Sequence, residues 1–502
     1  MDDTKIYFAG DKGPAEDTPP ADEENGKSRI LIGREKESRS VATEPGSGPR
    51  RGGKTWVRWA PESLPRDPPH GPLWNGRSKA RSWVLAPRLR EARGAVPGAD
   101  EPRIAPAAQE TPLVARMYRA RELNPDLINS WDHLESRSLE PNPFLSPWFV
   151  LPALEHLPEE GENDPIVIGV GSGDDDELLG LGIFEPSLGS RLLPLPHLRS
   201  WKSAHSFLDG VLLDRDRPLE AATAIFEWMQ GTRNRWHGLS FQDRSDDTES
   251  SLVLEEAASR FGIPWTEDWQ NERAFAMGSL LPEDCIGELF HGKRRREMRR
   301  RIRRLQSFGA VDFTVKNPMG GNSEPLESFL AMEAMGWKGE EQSALRCHAG
   351  RERFAREMVA GLSKVGKTVF GQLTVGDQLA ATDLYLRSGD SLFSFKSGWH
   401  PRFGKGSPGV VLKLRWMEAV RDFPELESVD SCAASGSWIE PIWPSRRRLT
   451  TGVFPTSHIA QQLTEAALKM KRFKRRISAA RSRTDPAVAW RLLVGDHLHR
   501  SV

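Results

Sequence analysis

A short basic, glycine-rich stretch in the second half of the chain is well suited to binding phosphate. Residues 400–409 have the sequence His-Pro-Arg-Phe-Gly-Lys-Gly-Ser-Pro-Gly, and residues 410–420 follow with helical periodicity. Free backbone N–H groups and the positive end of the helix dipole would meet at this turn. Arg402 and Lys405 would add positive charge. The stretch predicts a site for a phosphorylated cofactor, and the alternative is an ordinary basic surface turn.

Three predicted strands lead into this turn. Residues 367–375, 378–387 and 391–399 are rich in strand-forming side chains. Gly-Asp pairs at residues 376–377 and 389–390 separate them, and such pairs are typical of tight hairpin turns. The meander would therefore deliver its last strand directly to the predicted phosphate site.

Composition and charge argue against several classes of function. The chain has 502 residues, which is enough for two or three domains. The charges of its 70 basic and 70 acidic residues cancel, so the formal net charge is zero. Its three cysteines are far apart and form no CxxC, so we expect neither a disulfide framework nor a metal site. No apolar run approaches the roughly 18 residues that span a bilayer. We recognise no signal peptide and expect a cytoplasmic protein.

The character of the chain changes near residue 110. Residues 1–110 are rich in proline, glycine and charge without a sustained period, which predicts a disordered extension. Helical and strand patterns then alternate, and we expect domains at 111–280 and 281–480 with a tail at 481–502. The expected fold class is α/β (α+β). Similar element patterns occur in both halves, which predicts two related domains.

Several short motifs occur in one order and carry a family resemblance. They are KRRREMRRRIRRL at 293–305, Gly-Trp-Lys-Gly at 336–339 with Ala-Leu at 344–345, Ser-Pro-Gly at 407–409, and Asp430 followed by Gly436, after an NPFLSP segment at 142–147. Together they resemble GNAT-superfamily acyltransferases of the cellulose-biosynthesis (CelD-like) type, which are related to FemAB-like tandem folds. The resemblance covers roughly residues 113–476. It implies two GNAT-like domains, each with a mixed, mostly antiparallel sheet flanked by helices. It also implies acyl transfer from acetyl-CoA, or another acyl-CoA, to an amine, in polysaccharide or cell-envelope biosynthesis.

The resemblance implies an acyl-CoA site in the second domain. Amides of the strand at 391–399 would bind the pantetheine arm, and the turn after it would face the pyrophosphate. The expected cofactor-binding residues are Ser397, Trp399, Arg402, Gly404, Lys405, Gly406, Ser407 and Gly409. The spacing Arg-x-Gly-x-Gly is one residue shorter than the general GNAT pattern Gln/Arg-x-x-Gly-x-Gly/Ala. Some FemAB-like relatives use aminoacyl-tRNA as the donor.

Acyl transfer to an amine also requires a base, because an alkyl amine has a pKa near 10.4. The candidate catalytic residues are Glu333, Asp383 and His400. Each has a structural alternative, since a carboxylate can satisfy a neighbouring amide and a histidine can end a strand. Trp337 and Lys338 would line the substrate cleft with an apolar wall and a charged rim, or would anchor the packing of the turn.

An arginine-rich segment offers a second kind of function. We expect one helix over residues 282–308, in which Met298, Ile302 and Leu305 form an apolar stripe and arginines cover the other faces from Arg294 to Arg304. This face could bind an anionic partner, nucleic acid or polysaccharide, or could be the solvated side of an amphipathic helix. The alternatives to an acyl-CoA enzyme are therefore a non-catalytic GNAT-like anion-binding protein and an aminoacyl-tRNA-dependent transferase.

Overall fold

The computed structural model describes residues 111–157, 165–173, 177–232, 235–246, 248–318 and 322–482. The predicted disordered extension, and residues 483–502 of the predicted tail, lie outside the described residues. The described strands are β1 Val114–Arg119, β2 Ile166–Gly171, β3 Leu178–Ser187, β4 His197–Ser200, β5 Leu212–Leu213, β6 Gly238–Ser245, β7 Thr266–Met277, β8 Val311–Lys316, β9 Thr368–Val375, β10 Gln378–Ser388, β11 Ser391–Trp399, β12 Ser428–Asp430 and β13 Ser445–Pro455.

Helices occupy much of the remaining described chain. The α-helices are α1 Pro125–Ser136, α2 Pro147–His156, α3 Pro218–Gly231, α4 Glu249–Ser259, α5 Cys285–Leu289, α6 Gly292–Gln306, α7 Glu324–Ala334, α8 Trp337–Glu340, α9 Ala349–Lys364, α10 Pro408–Asp422 and α11 His458–Ser482. The 3-10 helices are Ala120–Glu122, Pro143–Leu145, Gly278–Leu280, Leu345–Cys347 and Pro401–Gly406. None of the helices in the described ranges is long and apolar enough to cross a bilayer.

The strands form one mixed sheet with a repeated topology. Their order is β1-β2-β3-β4-β6-β13-β7-β12-β11-β10-β9-β8, and β5 pairs with β3 off this path. In the first half, an antiparallel meander of β1 to β4 is followed by α3 and by β6, which is parallel to β4. In the second half, the meander β8 to β11 is followed by α10 and by β12, which is parallel to β11. The predicted α/β fold class, with a mixed and mostly antiparallel sheet, is confirmed.

Each half inserts one strand into the sheet of the other half. Strand β13 lies between β6 and β7, and β7 lies between β12 and β13. The boundary near residue 280 stays a prediction, since this exchange makes the two halves one continuous sheet.

A buried ion pair network joins the exchanged strands. Asp430 on β12 has its Oδ1 atom 2.7 Å from Nε of Arg273 on β7, and its Oδ2 atom 2.9 Å from Nη1 of Arg447 on β13. Burial opposes ionisation of this carboxyl, but the two guanidinium groups lower its pKa. Loss of either partner would leave an uncompensated charge in the core.

Helices cover both faces of β9, β10 and β11. Successive side chains of a strand point to opposite faces, so neighbouring residues of β10 enter different cores. Leu384 packs in the core that contains Phe329 of α7 and Phe354 of α9. Tyr385 packs in the core that contains Trp416 of α10, with ring centroids 4.4 Å apart. The site described below lies where these two helical layers meet at the end of β11.

Three local predictions need correction. The single helix expected at 282–308 is two helices, α5 and α6, because Phe290 is extended and buried and Gly292 takes a positive φ of 53°. The predicted open turn at 400–409 is a 3-10 helix followed at once by α10. Strand β13 begins in a segment to which we assigned no element, since its first residues, Ser-Arg-Arg-Arg, hide its strand character.

Candidate functional site

The site begins where two parallel strands separate. Strand β11 pairs with β10 along its whole length, but it pairs with β12 only over Ser391–Phe393. One extra residue, Phe395, interrupts the register opposite Leu384 and Tyr385, and such a bulge bends its strand. Beyond Phe393, the edge of β11 that faces away from β10 has no strand partner among the described residues.

A cleft of about 370 Å³ opens beside this free edge. The end of α7 and α8 form one side of the cleft. The 3-10 helix Pro401–Gly406 and the start of α10 form the other side. Its lining residues are Met332, Glu333, Gly336, Trp337, Lys338, Ser397, Gly398, Trp399, Gly404, Ser407, Pro408, Gly409, Val410 and Trp438. This size and mostly apolar lining are typical of small-molecule sites.

Eight of the residues predicted from the sequence meet in this cleft, although they come from separate elements. They are Glu333, Trp337, Lys338, Ser397, Trp399, Gly404, Ser407 and Gly409. Their functional roles stay predictions, whereas their proximity is a property of the fold.

Four predicted residues near the turn lie outside this lining. Arg402 and Lys405 are exposed, and Nη1 of Arg402 donates to Oε1 of Gln378 at 2.7 Å. Nδ1 of His400 accepts from the amide of Arg402 at 3.1 Å and so caps the 3-10 helix. Gly406 is buried under α6, where a Cβ atom would lie 2.4 Å from Cδ2 of Leu305.

Asp383 also lies away from the cleft lining, in the core under α10. Its carboxylate is fully buried, and Oδ2 lies 2.9 Å from the Nζ atom of Lys413. The same ammonium donates to the hydroxyl groups of Tyr385 and Ser394, at 2.8 and 2.9 Å. Burial raises the pKa of Asp383 and lowers that of Lys413, against their mutual attraction.

The N-terminus of α10 faces the cleft. Pro408 has no N–H, and Val410 and Val411 donate to the carbonyl of Ser407 at 3.0 and 3.2 Å. Gly409 therefore supplies the amide that a ligand at this helix end can use. A Cβ atom on Gly409 would have Trp399 as its nearest neighbour at 3.7 Å, which leaves room for a ligand. Ser407 holds the helix start in a left-handed conformation, with φ 50° and ψ 61°.

The free edge of β11 presents backbone groups to the same cleft. The amide of His400 donates to the carbonyl of Ala380 on β10 at 2.9 Å. Backbone groups alternate in direction along an antiparallel pair, so those of Trp399 and Ser397 face away from β10. The carbonyl of Ser397 confirms this direction, because it accepts from Nζ of Lys338 at 2.8 Å. The amides of Ser397 and Trp399 are therefore available to an extended ligand.

A buried carboxylate with two nearby ammonium groups forms the other end of the site. Oε2 of Glu333 accepts from the amide of Leu345 at 3.0 Å. Its Oε1 atom lies 3.5 Å from Nζ of Lys338 and 3.8 Å from Nζ of Lys396. Burial lowers the pKa of Lys396 to about 8, although the Glu333 carboxylate opposes this shift.

Sequence reasoning missed several residues of this site. Trp438 lines the cleft and is 52% exposed, but it lies in a segment without helical or strand period. Lys396 carries no motif, and only its burial beside Glu333 distinguishes it. The sequence signal for Trp438 was a tryptophan in a segment without helical or strand period.

The arginine-rich helix α6 supports the rim of the cleft. Met298 and Leu305 are buried and Ile302 is partly buried, as the stripe predicts. Nη1 of Arg304 lies 3.5 Å from the carbonyl of Lys405, so the helix holds the 3-10 helix in place. Binding of an anionic partner to its exposed face stays a prediction.

Comparison with known proteins supports a family for this part of the chain. Residues 292–436 match the model of the acetyltransferase (GNAT) domain. This range contains α6, the meander, the 3-10 helix, α10 and β12. A search of curated proteins finds no match. The CelD-like subtype stays a prediction.

A search of solved structures finds similar chains at low sequence identity. FemX is 12% identical over 68% of this chain and 98% of its own, with a TM-score of 0.43. L-PGS from Bacillus licheniformis is 12% identical over 70% and 96%, with a TM-score of 0.38. A tandem GNAT protein from the clavulanic acid biosynthesis pathway is 13% identical over 69% and 99%, with a TM-score of 0.33. The GNAT domain match is the finding that supports a family, and it applies to residues 292–436.

Proposed function

We propose that this protein is an N-acyltransferase that moves an acyl group from acyl-CoA to an amine in the cleft beside β11. The observation that carries the proposal is the separation of β11 from β12 after Phe393, which opens a cleft where eight predicted residues meet. The GNAT domain match over residues 292–436 supports it.

The residues present fit an acyl-CoA. The amides of Ser397 and Trp399 would pair with the extended pantetheine arm as a strand pairs with a sheet edge. The amide of Gly409 and the dipole of the 15-residue helix α10 would hold the pyrophosphate. Since a Cβ atom on Gly336 would meet only the carbonyl of Trp399, at 3.9 Å, the centre of the cleft has room for the reacting groups.

Glu333 is the proposed proton acceptor. An acyl-CoA thioester supplies an activated carbonyl carbon. Attack by the neutral amine forms the C–N bond and breaks the C–S bond, so that the thiolate of CoA leaves. The nitrogen loses one proton, which passes to the Glu333 carboxylate directly or through water. Lys338, held on the carbonyl of Ser397, places its positive charge near the developing negative charge.

The mouth of the cleft suits an acceptor with a flat apolar face. Trp337 and Trp438 come from different elements, and they are 51% and 52% exposed. Tryptophan combines a large apolar face with an N–H donor, which suits the face of a sugar ring. We therefore place amino sugars of polysaccharide or cell-envelope precursors first among the acceptors.

Binding of acetyl-CoA to the purified protein tests the proposal. We expect acetyl-CoA to raise the unfolding temperature, because a ligand that binds the native state stabilises it. Gly409→Leu should abolish that increase by filling the cleft. Gly231→Leu is the matched control, since a Cβ atom there also meets open space, at the end of α3. No stabilisation of the unchanged protein would contradict the proposal.

A thioester-consumption assay with amino sugars and simple amines would then identify the acceptor. Aminoacyl-tRNA is the second candidate donor, because the basic face of α6 borders the rim through Arg304 and Lys405. Transfer from charged tRNA, together with no binding of acetyl-CoA, would favour that donor.

A further inference from the structure

The last described helix, α11, packs on the protein through only one side. Ala460 and Thr464 are fully buried against the sheet. Nζ of Lys471 donates to the carbonyl of Asp268 at 2.8 Å, and Nε2 of Gln461 donates to the carbonyl of Gly262 at 3.0 Å. These contacts fix which side of the helix faces outward.

The outward side carries three large apolar residues, which we call the outer stripe. Ile459, Met470 and Phe473 are 61%, 57% and 54% exposed. Successive residues turn by about 100° around a helix, so these three project within a sector of about 60°. The stripe extends about 20 Å along the helix axis. Exposed apolar groups aligned in this way indicate an interaction surface.

Positive charge accompanies the outer stripe. No Asp or Glu occurs between residues 466 and 475, and the exposed basic residues of that range are Lys469, Arg472, Lys474 and Arg475. The same angular step places Lys469 and Lys474 on opposite sides of the stripe, and both are exposed. Lys469 has one acidic neighbour, Glu465, in an exposed pair at 3.6 Å that contributes little energy. An apolar stripe between lysines is the pattern of a helix that lies in the interface of a membrane.

We propose that α11 binds the surface of an anionic phospholipid bilayer, with the outer stripe inserted among the acyl chains and the lysines on the headgroups. A nucleic acid would satisfy the cations, but it offers nothing that would bury Ile459, Met470 and Phe473 together. A bilayer satisfies both features. The proposal does not depend on the acyl-transfer function.

Cosedimentation of the full chain with lipid vesicles tests this inference. We expect binding to vesicles that contain phosphatidylglycerol, and at least about tenfold weaker binding to pure phosphatidylcholine vesicles. Added salt should weaken the binding, because it screens the lysines. The Met470→Glu/Phe473→Glu double variant should lose the binding, as should Lys469→Glu/Lys474→Glu.

Two control variants distinguish binding through the outer stripe and its lysines from nonspecific hydrophobic or electrostatic binding elsewhere on the protein. Leu188→Glu removes another exposed apolar side chain. Arg299→Glu/Arg303→Glu removes positive charge from the exposed face of α6. We expect both variants to bind vesicles as the unchanged protein does. Unchanged unfolding temperatures would show that the α11 variants are folded. Absence of vesicle binding, equal binding of the Met470→Glu/Phe473→Glu variant, or preference for an RNA oligonucleotide over vesicles would each overturn the proposal.

Discussion

The ammonium group of Lys338 donates a hydrogen bond to the main-chain carbonyl of Ser397 at 2.8 Å. This contact joins α8 to the free edge of β11, which is the edge that faces away from β10 and has no strand partner among the described residues beyond Phe393. The same ammonium lies 3.5 Å from Glu333. One side chain therefore bridges two walls of the cleft and places positive charge beside Glu333.

Lys338→Met should weaken acyl-CoA binding several-fold and destabilise the protein by about 1–3 kcal/mol. The Lys338 side chain is partly exposed, but its partner Glu333 is buried and would keep the amide of Leu345 and the ammonium of Lys396, at 3.8 Å. Titration of acetyl-CoA by calorimetry measures the effect. Lys316→Met removes another lysine, paired with Glu324 at 2.9 Å, and should not change the affinity. Equal weakening by both variants would contradict a specific role for Lys338.

Glu333→Gln should lower kcat by roughly 10²- to 10⁴-fold, the range for loss of a general base. The glutamine can still accept the amide hydrogen of Leu345, so we expect the fold to persist. Glu327→Gln is the control, because Glu327 is a half-buried carboxylate on the same helix that pairs with Arg346 and Arg356 and does not line the cleft. A wild-type kcat in Glu333→Gln would exclude Glu333 as the base.

Asp383→Asn should destabilise the protein by about 3–5 kcal/mol, because it leaves the ammonium of Lys413 unpaired in the core. The folded fraction should keep its kcat. The double variant Asp383→Asn/Lys413→Met should recover much of the stability, which a double-mutant cycle in urea measures. A stable but inactive Asp383→Asn protein would instead return Asp383 to the list of catalytic residues.

Lys396 should make the free energy of unfolding depend on pH in the alkaline range. Its pKa falls from 10.5 to about 8 in the folded state, so the unfolded chain holds more protons between these values. The free energy of unfolding should therefore rise by about 3 kcal/mol as the pH increases from 8 to 10.5.

Lys396→Met should remove this rise and be more stable than the unchanged protein at pH 7. The advantage should shrink toward pH 10.5, where the lysine is neutral in both states. Urea unfolding at the two pH values measures it. Parallel pH profiles for the two proteins would show that Lys396 is not responsible.

Local patterns predicted the meander well. Strand β11 has the bounds expected from the sequence, and β9 and β10 differ from theirs by one residue. Gly-Asp turns and strand-forming side chains act over a few residues, so neighbouring positions suffice to specify these elements. The helix expected at residues 410–420 is α10, which begins two residues earlier at Pro408, a residue that favours the first position of a helix.

Other features depend on residues that are distant along the chain. The partner of Asp383 is Lys413 on another element. Because both side chains are buried together only in the folded chain, the sequence alone could not show that this is an ion pair of the core. The exchange of β7 and β13 also has no local signal, because strand order is a property of long-range pairing. Trp438 reaches the cleft only because its segment packs back toward α10.

The amino-acid sequence by itself determined the elements around residues 400–409, the apolar stripe of α6, and the kinds of side chain available for acyl transfer. Only the tertiary structure decided which of them share a cleft, and it placed Glu333 beside Ser397 while it enclosed Asp383 in the core. The reason is physical: hairpins, caps and helical stripes are satisfied by neighbours in sequence. The width of a cleft and the burial of a charge are set by packing between elements that meet only in the folded chain.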